Sequence, residues 1–157
     1  MATTSQLRSS VQTMTVTNLH SLASSATAGW QSAVVDNTSN LYDEIEVMVV
    51  LDHANTAPAN SKGTYVFQYD GLESGTYTNP CSGSEGALTL TDVTTTPQNL
   101  RHIGFVPYNT ADEVAESKIF RFRPGAFWGI ALMNHSGAAL AASGNTVKWV
   151  GIKETIA

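Results

Sequence analysis

A two-residue alternation of side-chain character runs through most of this chain, and no stretch carries a comparably clear helical repeat. In residues 118–123, Arg121 and Arg123 alternate with Phe120 and Phe122, which is typical of a strand with one face on a core. Residues 64–69 place three aromatic side chains on one face. Residues 43–51 begin with alternating acids and end in an apolar run, so this strand is predicted to start near solvent and end buried on both faces.

The remaining strand candidates are separated by residues that favour turns: Gly, Asn, Asp, Ser and Pro. They are residues 13–19, 31–35, 87–91, 100–106, 127–133 and 147–152. Strands at this spacing predict an all-β protein, a two-sheet antiparallel sandwich that is jelly-roll-like and has an extended N-terminal arm. A small closed barrel is the alternative.

The chain length predicts a single domain, because a globular chain of about 150 residues buries roughly 70% of its unfolded surface. We assign residues 13–157 to one β-sandwich domain and residues 1–12 to the arm. Apolar side chains in and beside the arm are few among polar neighbours, too few for a core of their own. They are predicted to contact a partner, and the candidate contact residues are Leu7, Arg8, Val11 and Met14.

Composition argues against several classes of partner. The formal net charge is -5 and the basic residues are scattered, whereas nucleic-acid binding favours a basic surplus. Residues 125–133 are the longest stretch without strong polarity, far short of the ~20 residues of a spanning helix. The polar N-terminus does not resemble a secretory signal. We therefore expect neither nucleic acid nor membrane as a partner.

The search for chemistry-bearing motifs predicts no enzyme, cofactor or metal site. The four histidines are far apart and fit no metal-ligand spacing. Asp52 and His53 are neighbours that point to opposite faces of a strand, so loop polarity is the preferred interpretation. Residues 82–86 lack the glycine that a hydrolase nucleophile loop needs before Ser84, and are interpreted as a hairpin connection. Cys81 is interpreted as an inert thiol in a loop.

The aromatic residues divide into two groups. Trp residues inside apolar strands usually belong to a core, whereas a sugar-binding platform prefers aromatics on loops. The predicted core group is Trp30, Trp128 and Trp149, and the candidate loop platforms are Tyr42, Tyr77 and Tyr108.

Four segments carry a resemblance to a known group of proteins. They are residues 22–37 (LASSATAGWQSAVVDN), 128–130 (WGI), 134–140 (NHSGAAL) and 150–152 (VGI). With them the chain resembles small virion proteins of tailed bacteriophages that are encoded among head genes. The similarity covers most of the chain beyond the first dozen residues, and residues 52–61 and 70–86 depart from it as long polar loops.

The resemblance implies a capsid cement or decoration protein with a jelly-roll fold, made in the host cytoplasm and bound to the outer capsid surface of the virion. Its expected partners are the major capsid protein and further copies of itself, as a dimer or trimer. The alternative is a receptor- or glycan-binding module of a tail or head fibre. A carboxylate-dependent hydrolase is the third hypothesis, since the separation of two carboxylates cannot be read from sequence.

Overall fold

The computed structural model describes residues 4–53, 57–59, 62–89, 100–108 and 116–156. In these ranges the regular secondary structure consists of strands alone. The strands are β1 (Thr4–Arg8), β2 (Gln12–Thr13), β3 (Ala28–Gln31), β4 (Val35–Asp36), β5 (Glu44–Leu51), β6 (Gly63–Glu73), β7 (Thr76–Tyr77), β8 (Gly86–Thr89), β9 (Arg101–Pro107), β10 (Glu116–Phe122), β11 (Phe127–His135) and β12 (Thr146–Ile156). Nothing in the described ranges forms a helix that could cross a membrane.

The strands form two antiparallel sheets. Sheet 1 has the order β1-β12-β5-β10, with β2 also paired to β12. Sheet 2 has the order β7-β6-β11-β3-β8, with β4 paired to β11 and β9 paired to β6. Counting β1 with β2 and β3 with β4, four strand positions in each sheet follow the chain order of a jelly roll, and β7 and β8 are additions. The predicted all-β, two-sheet antiparallel sandwich is confirmed.

Two of the predicted strands are found only in small part. Only Thr13 of residues 13–19 lies in a strand, because the chain then leaves sheet 1 through turns such as the Leu19 N–H to Val16 carbonyl bond of 3.1 Å. Residues 31–35 are divided between β3 and β4, because the Ser32 hydroxyl accepts the Ile130 N–H in place of a ladder carbonyl. The predicted strand 87–91 is found as β8, and its last two residues lie outside the described ranges.

The main core lies between the sheets and is built from alternate residues of their strands. In β5 the buried side chains are Ile45, Val47, Val49 and Leu51, whereas the residues between them face outward. The prediction that this strand ends buried on both faces is therefore wrong, since Met48 is 38% exposed. Sheet 2 supplies, among others, Trp30, Val66, Trp128, Ile130 and Leu132 to the same cluster. The core predictions for the Trp residues are confirmed, since Trp30, Trp128 and Trp149 are all buried.

Sheet 2 is covered on its other face as well. Phe67, Tyr69, Ala131 and Met133 alternate with the residues of the main core and form a second cluster on the opposite face. Side chains from the segment that follows β7 pack on this cluster, together with one residue just before β9; they are Cys81, Leu88 and Leu100. Sheet 2 therefore has apolar packing on both faces, which distinguishes it from sheet 1.

The N-terminal segment forms the edge of sheet 1. β1 pairs with β12 from Thr4↔Ile156 to Arg8↔Ile152, and β2 continues the same edge. Between them the Ser9 N–H donates to the Gly151 carbonyl at 2.9 Å, and one extra residue forms a bulge. Backbone pairing with β12 of the same chain thus holds the N-terminal segment in place.

Candidate binding surface

The candidate metal ligands are dispersed in the described part of the chain. No three His, Cys, Asp or Glu side chains within the described ranges lie close enough together to hold a metal ion. In residues 82–86 the Ser82 hydroxyl accepts from the Gln31 side-chain amide at 2.5 Å and from the Ser84 N–H at 3.3 Å. These contacts make Ser82 part of a loop anchor.

His53 is a core residue, so the interpretation of the Asp52–His53 pair as loop polarity is wrong for His53. Its ring is buried and lies edge-on to the ring of Tyr108, with the two ring centroids 4.3 Å apart. Its Nε2 atom lies 3.0 Å from the hydroxyl oxygen of Ser136. That hydroxyl donates to the Asn134 amide oxygen at 2.6 Å and lies 2.8 Å from the Ala138 carbonyl oxygen. Since Ser136 is itself fully buried, this Ser–His contact belongs to the packing of the sandwich end.

We expect His53 to make folding sensitive to mild acid. Burial lowers the pKa of His53 below its ordinary value of 6.5, against the opposing effect of Asp52. Among the residues that the structure describes, the ring's Nδ1 has no hydrogen-bond partner. Below that ordinary value the unfolded chain takes up a proton that the folded chain binds only at lower pH, so the free energy of unfolding decreases with falling pH. Above it the ring is neutral in both states and contributes no such loss.

The test is denaturant unfolding between about pH 7.5 and pH 5.5, a window set by the unfolded histidine. His53→Gln keeps a polar side chain and cannot titrate, so its stability should fall less over this window than that of the unaltered chain. His102→Gln, at an exposed histidine, is the control and should retain the full decrease. Equal pH slopes for all three proteins would contradict the assignment.

Cys81 is buried in the second cluster of sheet 2. Burial raises the pKa of its thiol to about 12. Because the thiolate is the nucleophilic form, this environment suppresses thiol reactivity.

The outer face of sheet 1 carries apolar side chains in solvent. Val11 is 64% exposed, Ile119 61% and Met48 38%. Strand register places Lys148, Met48 and Ile119 side by side across β12, β5 and β10, with Val150, Glu46 and Arg121 in the next row. These six residues and Val11 are called the outer patch. A shallow groove of about 340 Å³ follows it, between the bulged edge strand and the centre of the sheet.

Ion pairs occupy one side of the outer patch and include two of its residues, Glu46 and Arg121. Arg8 pairs with Glu46, and Arg121 pairs with Glu44 at 2.7 Å and lies 3.9 Å from Glu46. The hydrogen bond from Arg8 lowers the pKa of Glu46. Exposed ion pairs of this kind contribute about 0 to 1 kcal/mol each, so they order the surface more than they stabilise the fold.

The four predicted contact residues do not share one environment. Arg8 and Val11 line the groove of the outer patch. Leu7 is exposed but is one position from Arg8 and points to the other face of β1. Met14 is buried in the main core, so its side chain is not at the surface.

Residues of the outer patch outside the arm were missed in the sequence. The sequence did contain an indication of them. Ile119 is two residues from Arg121 and Met48 is two residues from Glu46, so strand alternation puts both apolar side chains on the charged face. Their proximity to Val11 depends on pairing β1 and β2 with the last strand of the chain, which the sequence does not reveal.

The candidate loop tyrosines have packed rings. Tyr108 is buried in the main core, which contradicts its interpretation as a surface platform. Tyr42 packs edge-on against Trp149 with ring centroids 6.1 Å apart, and Tyr77 against Tyr69, also at 6.1 Å. Tyr42 and Tyr77 are partly buried by these contacts.

Comparison with known proteins assigns the chain to no family. No protein-family model matches it, and no significant match exists among curated proteins. Among solved structures, the chain aligns with CorA, a surface-associated copper-binding protein important in copper acquisition in Methylomicrobium album BG8. That alignment has a TM-score of 0.36 and 10% identity, and covers 96% of this chain and 92% of CorA. A similarity this low carries no argument about function.

Proposed function

We propose that this chain is a decoration protein of a tailed-bacteriophage capsid, which binds the outer surface of the major capsid protein and bridges neighbouring subunits. The proposal joins the resemblance of residues 22–37, 128–130, 134–140 and 150–152 to one observation on the molecule, the exposed outer patch of sheet 1. Decoration is a binding function, so it requires an adhesive surface and no catalytic centre.

The carrying observation is the difference between the two sheets. Sheet 2 has its second face covered by the chain's own Cys81, Leu88 and Leu100, whereas sheet 1 leaves Met48, Ile119 and Val11 exposed. Contiguous apolar surface with a polar rim is a common mark of an interaction site. A rigid sandwich that seals one sheet and exposes the other is suited to lie against a larger surface.

Charge also agrees with a position outside the shell. A protein that lines packaged DNA gains affinity from a basic surface, and this chain has a formal net charge of -5. When copies are joined in a dimer or trimer, several weak contacts to a repeating icosahedral lattice act together and raise the overall affinity. We therefore include a dimer or trimer in the proposal.

The test is the copy number and position of the chain in purified virions. We expect quantitative mass spectrometry to give a ratio to the major capsid protein near a small whole-number fraction, and cryo-electron microscopy to show ordered copies on the outer shell. A few copies per particle, or density confined to a tail or fibre, would reject the proposal and favour host recognition.

A further inference from the structure

The charges of this protein are unevenly divided between the strands of sheet 1 and the rest of the chain. The strands of sheet 1 contain five Lys and Arg residues against four Asp and Glu residues. The rest of the chain contains three Lys and Arg residues against nine Asp and Glu residues. The negative surplus therefore lies entirely outside sheet 1.

Within the outer patch, one cation has no counter-ion among the described residues. Glu44 and Glu46 are both engaged by Arg8 and Arg121. Lys148 is exposed beside Met48, and none of the ion pairs in the described ranges includes it. The patch thus combines an apolar centre with a free ammonium group at one side.

We infer that the outer patch is the face that docks on the shell, onto a protein surface with apolar side chains and a carboxylate placed to meet Lys148, while sheet 2 points away. This orientation rests on the proposed function. Burial of Met48 and Ile119 would supply the apolar contact, and charge complementarity around Lys148 would select the partner and fix its register.

A second copy of this chain fits the outer patch less well. Two such faces in contact would each bring a surplus cation, with their glutamates already paired within their own chain. Like charges across an interface oppose association. An acidic acceptor on the capsid satisfies both the apolar centre and Lys148, so we assign the patch to that partner.

The experiment is re-binding of purified protein to shells from a phage that lacks the gene, measured by co-sedimentation. Ile119→Asp places a carboxylate in the apolar centre and should weaken binding about tenfold or more. Lys148→Glu should weaken it about fivefold and reduce its salt dependence. Both side chains are exposed, and near-ultraviolet circular dichroism verifies that each variant folds.

Matched controls lie outside sheet 1. Leu72→Asp changes a leucine that is 95% exposed at the end of β6, and Lys62→Glu reverses an exposed lysine before β6. Both should bind within about twofold of the unaltered chain, since neither touches the docking face.

The outcomes separate the two proposals. If the unaltered chain does not bind gene-deleted shells, the decoration function itself fails. If it binds and both outer-patch variants bind equally well, the function stands and the docking face is wrong. If Ile119→Asp converts an isolated oligomer to a monomer in analytical ultracentrifugation, the patch joins copies of this chain, and the inference is overturned.

Discussion

Replacing Asn134 with Ala is expected to lower the free energy of unfolding by about 3 to 5 kcal/mol, because it removes four side-chain hydrogen bonds from a fully buried site. The amide nitrogen donates to the Leu22 carbonyl at 3.0 Å and to the Ala138 carbonyl at 2.7 Å. The amide oxygen accepts from the Ser136 N–H at 3.1 Å and from its hydroxyl at 2.6 Å.

These bonds join three segments at one end of the sandwich. Leu22 lies in the crossing from β2 to β3, Ser136 and Ala138 lie in the turn after β11, and the Ser136 hydroxyl continues to His53 after β5. When Asn134 is removed, its former partners stay buried and away from water without a hydrogen bond to offset the cost of desolvation. The loss of stability should therefore exceed that of one hydrogen bond.

Urea unfolding of Asn134→Ala and of Asn40→Ala gives the measurement and its control. Asn40 is exposed, and its hydrogen bond with Lys153 uses the backbone carbonyl, which the substitution leaves in place. Truncation of its side chain should therefore change the free energy of unfolding by less than about 0.5 kcal/mol. A loss below about 1 kcal/mol for Asn134→Ala would show that the network is not needed to hold this end together.

Local patterns were sufficient for most of the fold. The alternation in residues 118–123 correctly separates the core face from the outer face, because strand side chains have a period of two wherever the strand is regular. In residues 64–69 it separates the two buried faces of sheet 2. In residues 43–51 the closing apolar run was misleading, since the strand alternates between core and solvent to its end. Alternation failed at residues 13–19, where Met14 and Leu19 reach the core from a segment of turns. Met14 and Leu19 are five positions apart, which is not the even spacing of residues on one strand face.

Long-range polar contacts were beyond such patterns. In the sequence, Asn134 belongs to a segment whose residues favour a turn, and residues 82–86 are interpreted as a flexible connection. The residues that they bind are distant in the chain, as with Leu22 and Asn134, and nothing local indicates them. For the same reason Val11 could be proposed as a contact while Met48, its neighbour in the groove, could not.

Glu85→Gln is expected to lower the free energy of unfolding by about 2 to 3 kcal/mol, because hydrogen bonds to an ionised acceptor are the stronger kind and one donor is buried. One carboxylate oxygen accepts from the Trp30 indole N–H at 2.7 Å and from the Asn18 N–H at 2.8 Å. The other accepts from the Asn18 side-chain amide at 2.7 Å. In Glu85→Gln, the new amide NH2 group replaces one acceptor oxygen and would face an N–H donor of Asn18 or Trp30.

The pH dependence of this effect follows from the ionisation of Glu85. Burial alone would raise the pKa of Glu85, but the bonds from Trp30 and Asn18, with nearby His20, hold it below its ordinary value of 4.5. The stabilisation is therefore complete above that value and is lost as the pH falls through the lower pKa of the folded chain. The difference in stability between Glu85→Gln and the unaltered chain should narrow over the same acidic range.

Two comparisons test whether this glutamate anchors the indole of Trp30. Glu73→Gln removes a carboxylate that is exposed and accepts only from Thr76 at 3.3 Å among the described contacts, and should change stability by less than about 0.5 kcal/mol. In a double-mutant cycle, Trp30→Phe and Glu85→Gln should be coupled by about 1 kcal/mol or more, since each removes one side of the same bond. Strict additivity would mean that the carboxylate acts on Asn18 alone, and that the buried indole N–H is satisfied without it.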